Sequence, residues 1–145
     1  MNFQIRKIES DDLNEIGVIE RLSSNNPWSD ETLKKAILNP NAINLLLVFE
    51  EKITGFLFSC IISDECELHN IAIHPDYRGK GFSKLLIQSF FELLKGKKIA
   101  NIYLEVRQNN LTAINLYQKT GFSEYSMRKN YYSDGCNAIL MRKVV

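Results

Sequence analysis

Apolar and polar residues alternate along Phe3 to Ile8 closely enough to predict a first strand. Ser10 then stands where an N-cap belongs, with Asp11 and Asp12 well placed for the helix dipole. Leu13, Ile16 and Ile19 supply the inward stripe of a helix running through Leu22. Ser29 repeats the signal: Asp30 and Glu31 follow in the first turn, Leu33, Ala36 and Ile37 face inward, and Asn39-Pro40 ends the helix. Two apolar runs, Ile43 to Phe49 and Ile53 to Ile62, flank Glu50-Glu51-Lys52 and predict an antiparallel hairpin. Glu67 to Ile73 is a further strand, stopped by His74-Pro75. Phe82 to Leu94 carries Phe82, Leu85, Leu86, Phe90 and Leu93 on a wide face, which predicts a largely buried helix. Gly96 closes it, with Lys95, Lys97 and Lys98 at its negative end. Asn101 to Val106 reads as a strand and Leu111 to Thr120 as a helix ended by Gly121. Phe122 to Met127 and Ala138 to Met141 make a final antiparallel pair. The order β-α-α-β-β-β-α-β-α-β-β predicts an α/β (α+β) fold, a mixed sheet with helices on both faces. No repeat, low-complexity stretch or Pro/Gly/Ser linker interrupts it, so residues 1–145 read as a single domain.

Composition narrows the functional classes. At 145 residues, 45% apolar and 24% charged, the chain is large enough to bury roughly two thirds of its unfolded surface and is not a disordered chain. Its 18 basic and 17 acidic residues leave a formal charge of +1, which predicts no direct nucleic-acid partner and no anionic membrane partner. The longest strictly apolar runs, such as Leu45 to Phe49, are too short to span a bilayer. The N-terminus has no apolar core of the secretory kind. Cys60, Cys66 and Cys136 cannot all pair and form no C-x-x-C, which predicts reduced thiols in a cytoplasmic protein. His69 and His74 lie in no metal-binding pattern, so no metal is expected.

Three places carry candidate chemistry. Arg78-Gly79-Lys80-Gly81-Phe82-Ser83 opens the long helix, where glycines let backbone N–H groups approach an anion and the helix N-terminus adds positive charge. Arg78, Lys80 and Lys84 reinforce a pyrophosphate site; the alternative is a glycine turn with solvated basic neighbours. A Walker A loop is excluded because Gly81 follows Lys80, and the dinucleotide fingerprint because Lys84 replaces its third small residue. Second, Glu105 alternates with Leu104 and Val106 and projects from the opposite face of its strand. A carboxylate there is costly unless paired or in a wet cleft, and partial burial would move its pKa toward that of a general base. A salt bridge to Arg107 or to a base on a neighbouring strand is the competing reading. Third, Asn110 suits an N-cap, and seven residues on Tyr117 suits either a core aromatic or a proton donor.

Together these residues resemble the GNAT superfamily of acetyl-CoA-dependent N-acetyltransferases, whose phosphate loop is written Q/R-x-x-G-x-G/A. The loop matches at Arg78 and Gly81 and departs at Ser83, which is still small. Asn70 to Gly81, Leu104 to Phe122, Arg128 to Tyr132 and Pro27-Trp28-Ser29 are similar to the bacterial family that acetylates the N-terminal alanine of a small-subunit ribosomal protein. The resemblance covers essentially the whole chain. It implies a mostly antiparallel sheet of six to seven strands, splayed between the fourth and fifth, with the pantetheine arm of acetyl-CoA paired along Ile71, Ala72 and Ile73. It further implies that Arg78, Gly79, Lys80, Gly81, Phe82, Ser83 and Lys84 hold the pyrophosphate and that Asn110 contacts the cofactor near its reactive end. Glu105 becomes the general base and Tyr117 the general acid, with direct attack in a ternary complex. Trp28, Arg128, Tyr131 and Tyr132 would bind the N-terminal peptide of a ribosomal protein, the competing reading being Trp28 as a hydrophobic staple before Ser29 and the tyrosines as exposed strand residues; the protein is expected to be a monomer or weak dimer. Two alternatives stand beside it: acetylation of a polyamine or aminoglycoside, which would call for an acidic cleft, and a non-catalytic acyl-CoA-binding module.

Overall fold

The computed structural model describes residues 2–145. Seven strands form one sheet in the order β1-β2-β3-β4-β5-β7-β6: β1 Phe3–Lys7, β2 Leu45–Phe49, β3 Lys52–Ile62, β4 Glu65–Ile73, β5 Asn101–Arg107, β6 Ser123–Arg128 and β7 Ala138–Val144. The helices are α1 Leu13–Ser23, α2 Asp30–Leu38, α3 Phe82–Lys95 and α4 Leu111–Lys119. The β2–β3 hairpin turns on two residues, Glu50 and Glu51, both at positive φ, so Lys52 already belongs to the second strand. Every strand pair is antiparallel except β4–β5.

Strand alternation divides the core between the two faces. Leu45, Leu47 and Leu57 pack with Leu86, Ile87 and Phe90 of α3, whereas Leu46, Phe56 and Phe58 pack with Ile16 and Ile19 of α1 and Leu33 of α2. Among the described residues no helix is long and apolar enough to cross a membrane.

The feature that shapes the site is the single parallel pair. Its register covers only Glu65 with Asn101, Cys66 with Ile102 and Glu67 with Tyr103. β4 then continues to Ile73, bonded to β3 alone, while β5 continues to Arg107, bonded to β7. The two strands diverge from a common start, as the resemblance implied.

One local expectation differs. Ser10 does not cap a helix; it opens a 3-10 turn, Ser10–Asp12, capped by Glu9, and α1 begins at Leu13. Asp12 is the reason. Its carboxylate accepts two bonds from the Arg6 guanidinium, both 2.9 Å, and one from the Glu9 N–H at 2.7 Å. Arg6 holds the Asp12 carboxyl below the usual aspartate range, against burial that pushes the other way. A lowered folded pKa contributes stability that is present above the unfolded value near 3.9 and lost as pH falls through the folded value. Asp12→Asn is therefore expected to destabilise the protein by about 1–3 kcal/mol at pH 7 and to flatten the acid limb of stability. Thermal unfolding between pH 3 and 7 checks this; an unchanged limb would place the acid sensitivity elsewhere.

Candidate functional site

The gap between β4 and β5 opens into a cleft of about 780 Å³, lined by the end of α1, the start of α3, α4 and the facing edges of β4 and β5. At one end lies the turn before α3. Gly79 and Gly81 both have φ of +80°, a conformation that a side chain would strain, and nothing lies within 4 Å of a Cβ built on either. The backbone is thus bare where an anion would approach. Gly81 caps α3, so the N–H groups of its first turn have no acceptors within the helix and face the same way as its positive dipole end. Lys84 lines the cleft, whereas Lys80, expected beside it, does not.

Arg78 borders the cleft with its guanidinium already engaged. Nε donates to the Ile73 carbonyl at 3.0 Å and a terminal nitrogen donates to the Ser23 hydroxyl at 3.1 Å. It braces the end of β4 against the end of α1, and so holds the turn in place. Phe82 is buried on Phe49, with ring centroids 5.1 Å apart, which leaves its backbone rather than its ring for a ligand. Ile71, Ala72 and Ile73 line the cleft along the edge of β4 that has no strand partner.

Asn110 caps α4, as the sequence suggested, by accepting from the Ala113 N–H at 3.2 Å; it also lines the cleft. Tyr117 is a core aromatic that also reaches the cleft. Only 8% exposed, it packs edge-on to Phe122, yet it borders the cleft. Its hydroxyl has no hydrogen-bond partner among the described residues and is not sealed from solvent, so it opens onto the cleft. Burial pushes this phenol up to about 12.

A second cleft, of about 660 Å³, is lined by Trp28, Arg128, Tyr131 and Tyr132, all four of the residues expected to contact an acceptor. Tyr131 and Tyr132 meet edge to face at 5.1 Å, and the Arg128 guanidinium lies 5.4 Å from the Tyr131 ring centre. The two clefts share His69, Glu105 and Tyr132. Glu105 therefore stands where they meet. Its side chain keeps 39% of its exposure, so it occupies a wet cleft, one of the settings in which a carboxylate on this strand is tolerated. Nor does Arg107 pair with it: Arg107 holds Asp134, and the cation nearest Glu105 is Arg128 at 3.9 Å.

Several lining residues escaped the sequence reading. Glu65 and Glu67 add carboxylates to the second cleft, making it more acidic than Arg128 and two tyrosines suggested. Glu67 lies 2.9 Å from His69 Nε2 and accepts from it when that nitrogen carries the proton. Glu20, 3% exposed, accepts from the Trp28 N–H at 2.9 Å and from the Asn70 amide at 3.0 Å, tying one wall of the second cleft to β4. The alternation Glu65, Glu67, His69 was the available signal, since all three lie on the same face of β4. No group of three or more His, Cys, Asp or Glu suited to a metal ion occurs among the described residues.

Residues 4–122 match the family model described as the acetyltransferase (GNAT) family. The chain is 41% identical over 128 residues to a [ribosomal protein bS18]-alanine N-acetyltransferase of Haemophilus influenzae, covering 88% of this chain and 86% of that protein. Its fold is similar to the crystal structure of the ribosomal-protein-S18-alanine N-acetyltransferase from Escherichia coli, with a TM-score of 0.93, 33% identity, and coverage of 99% of this chain and 94% of that one. Ard1 from Thermoplasma volcanium superimposes with the same TM-score, 0.93, at 25% identity, covering 99% of this chain and 97% of that one.

Proposed function

Given that the chain belongs to the acetyltransferase (GNAT) family and uses acetyl-CoA as donor, we propose that it acetylates the N-terminal alanine of a small-subunit ribosomal protein. The observation that carries this reading is Glu105, the carboxylate at the meeting point of a donor cleft and an acceptor cleft. The residues fit the donor chemically. An unpaired strand edge at Ile71 to Ile73 matches the amides of a pantetheine arm, and bare glycine backbone at a helix N-terminus matches a pyrophosphate. Acetyl-CoA supplies an activated thioester carbonyl. The roles of the protein are to hold it beside the amine and to move two protons.

An α-amine has a pKa near 8 and is mostly protonated at neutral pH, so it must lose a proton before attack. In this reading Glu105 takes that proton, directly or through a water in the open cleft. Tyr117, which burial keeps protonated, donates to the departing sulfur. Backbone N–H groups of Ile71 to Ile73 polarise the carbonyl oxygen. Trp28 and the Tyr131–Tyr132 pair wall the acceptor's first residues, and the family relationship supports a cytoplasmic setting for such a substrate.

Glu65 and Glu67 favour one competing acceptor, a polyamine, because carboxylates attract a polycation. Thiol release from acetyl-CoA distinguishes the two. The expected result is turnover with an alanine-starting peptide bearing the ribosomal protein's N-terminal sequence, with mass added at the α-nitrogen, and none with the amine blocked. Turnover with polyamines alone would remove the peptide assignment.

A further inference from the structure

We propose that Arg107 is a positioning residue for acceptor binding, acting through the loop of residues 129–137 between β6 and β7. This inference rests on the peptide reading above. The loop carries Tyr131 and Tyr132 into the acceptor cleft but lies outside the sheet ladder, with Asn130 and Gly135 at positive φ. Arg107, the last residue of β5, and Gln108 just after it hold it. Arg107 Nη1 donates to both carboxylate oxygens of Asp134, at 3.0 and 2.8 Å, and its guanidinium carbon lies 4.1 Å from the centre of the Tyr132 ring. Gln108 accepts from the Asn137 amide at 2.9 Å and donates its own N–H to the Asn137 carbonyl at 3.0 Å.

Inside the loop the same groups are reused. Asp134 also accepts from the Cys136 N–H at 3.0 Å, and Tyr132 donates its N–H to the Cys136 carbonyl at 3.1 Å. One guanidinium thus fixes the ring of Tyr132 on its face and the backbone around Tyr132 through Asp134. Tyr132 borders both clefts, so its placement sets how an acceptor enters beside Glu105. Arginine suits the task because a planar cation stacks on an aromatic face while its N–H groups bond a carboxylate; the ammonium of lysine keeps the charge without the stack. The cluster is exposed, so its effect should fall on geometry at the cleft far more than on global stability.

The test is Arg107→Lys together with Asp134→Asn, read by amide hydrogen exchange in the free protein and by steady-state kinetics with acetyl-CoA and the alanine-starting peptide. Exchange of the 129–137 amides is expected to quicken by about tenfold or more in either variant, with the core unchanged. KM for the peptide is expected to rise about tenfold while KM for acetyl-CoA stays within about twofold, and the double variant should add little to either single one. A quickened loop with an unchanged peptide KM would overturn the inference, as would a rise confined to the acetyl-CoA KM. Wild-type protein that never turns the peptide over would overturn the acceptor reading itself, and this inference with it.

Discussion

Replacing Glu105 with glutamine is expected to lower kcat for the peptide by about 10²–10⁴-fold while acetyl-CoA still binds. The substitution preserves size and hydrogen-bonding reach but removes the proton acceptor at the point where the two clefts meet. The loss should depend on pH in a way that a packing defect would not. Without a base, attack relies on the fraction of amine that solution has already deprotonated, which rises tenfold per pH unit until the amine's own pKa near 8. The Glu105→Gln rate should therefore climb steeply between pH 6 and 8 and partly recover. A uniform deficit across that range would point to misplacement of the acceptor. Retained activity at pH 6.5 would remove Glu105 from the proton path. Arg128, at 3.9 Å, also loses its charge partner in this variant, so Arg128→Gln is the companion to measure.

Glu105 was legible because strand alternation alone puts it opposite Leu104 and Val106, which are buried as expected. Asn110 and the Gly79–Gly81 turn were legible for a similar reason: caps and left-handed glycines act within a few residues of themselves. What the sequence hid was side-chain partnership over long separations. Arg78 reads as a phosphate ligand beside glycines, yet its guanidinium bonds Ser23, 55 positions away. Glu20 sits in Ile19-Glu20-Arg21 like any solvated helix residue. Its partners are the Trp28 N–H and the Asn70 amide, 8 and 50 positions distant, and only the closed fold makes it a buried acceptor. Glu105 shows the same limit from the other side. Its nearest sequence cation, Arg107, turns to Asp134 on a loop 27 positions on, and no local pattern announces that. The order of elements followed from periodicity and punctuation, and the splay of the sheet from the family resemblance, whereas the electrostatics of the cleft depended on which strands ended side by side.

Tyr117→Phe is expected to cut kcat by about a hundredfold with little change in the melting temperature. The ring is core, packed on Phe122, and phenylalanine keeps it. The hydroxyl bonds nothing in the protein among the described residues, so deleting it leaves no partner unsatisfied. Its work would be done on the leaving sulfur alone. Because burial pushes the phenol up to about 12, it stays protonated at every pH where the enzyme would be assayed, and it should impose no alkaline limb on kcat below about pH 11. The same shift has a consequence for stability. A folded pKa above the unfolded value near 10 means the native state binds this proton more tightly, so the stabilisation is full below pH 10 and is lost as pH rises toward 12. Tyr117→Phe should blunt that alkaline loss while leaving neutral-pH unfolding unchanged. A variant that melts much earlier at pH 7 would make Tyr117 a structural residue. One that keeps full kcat would assign protonation of the thiolate to water.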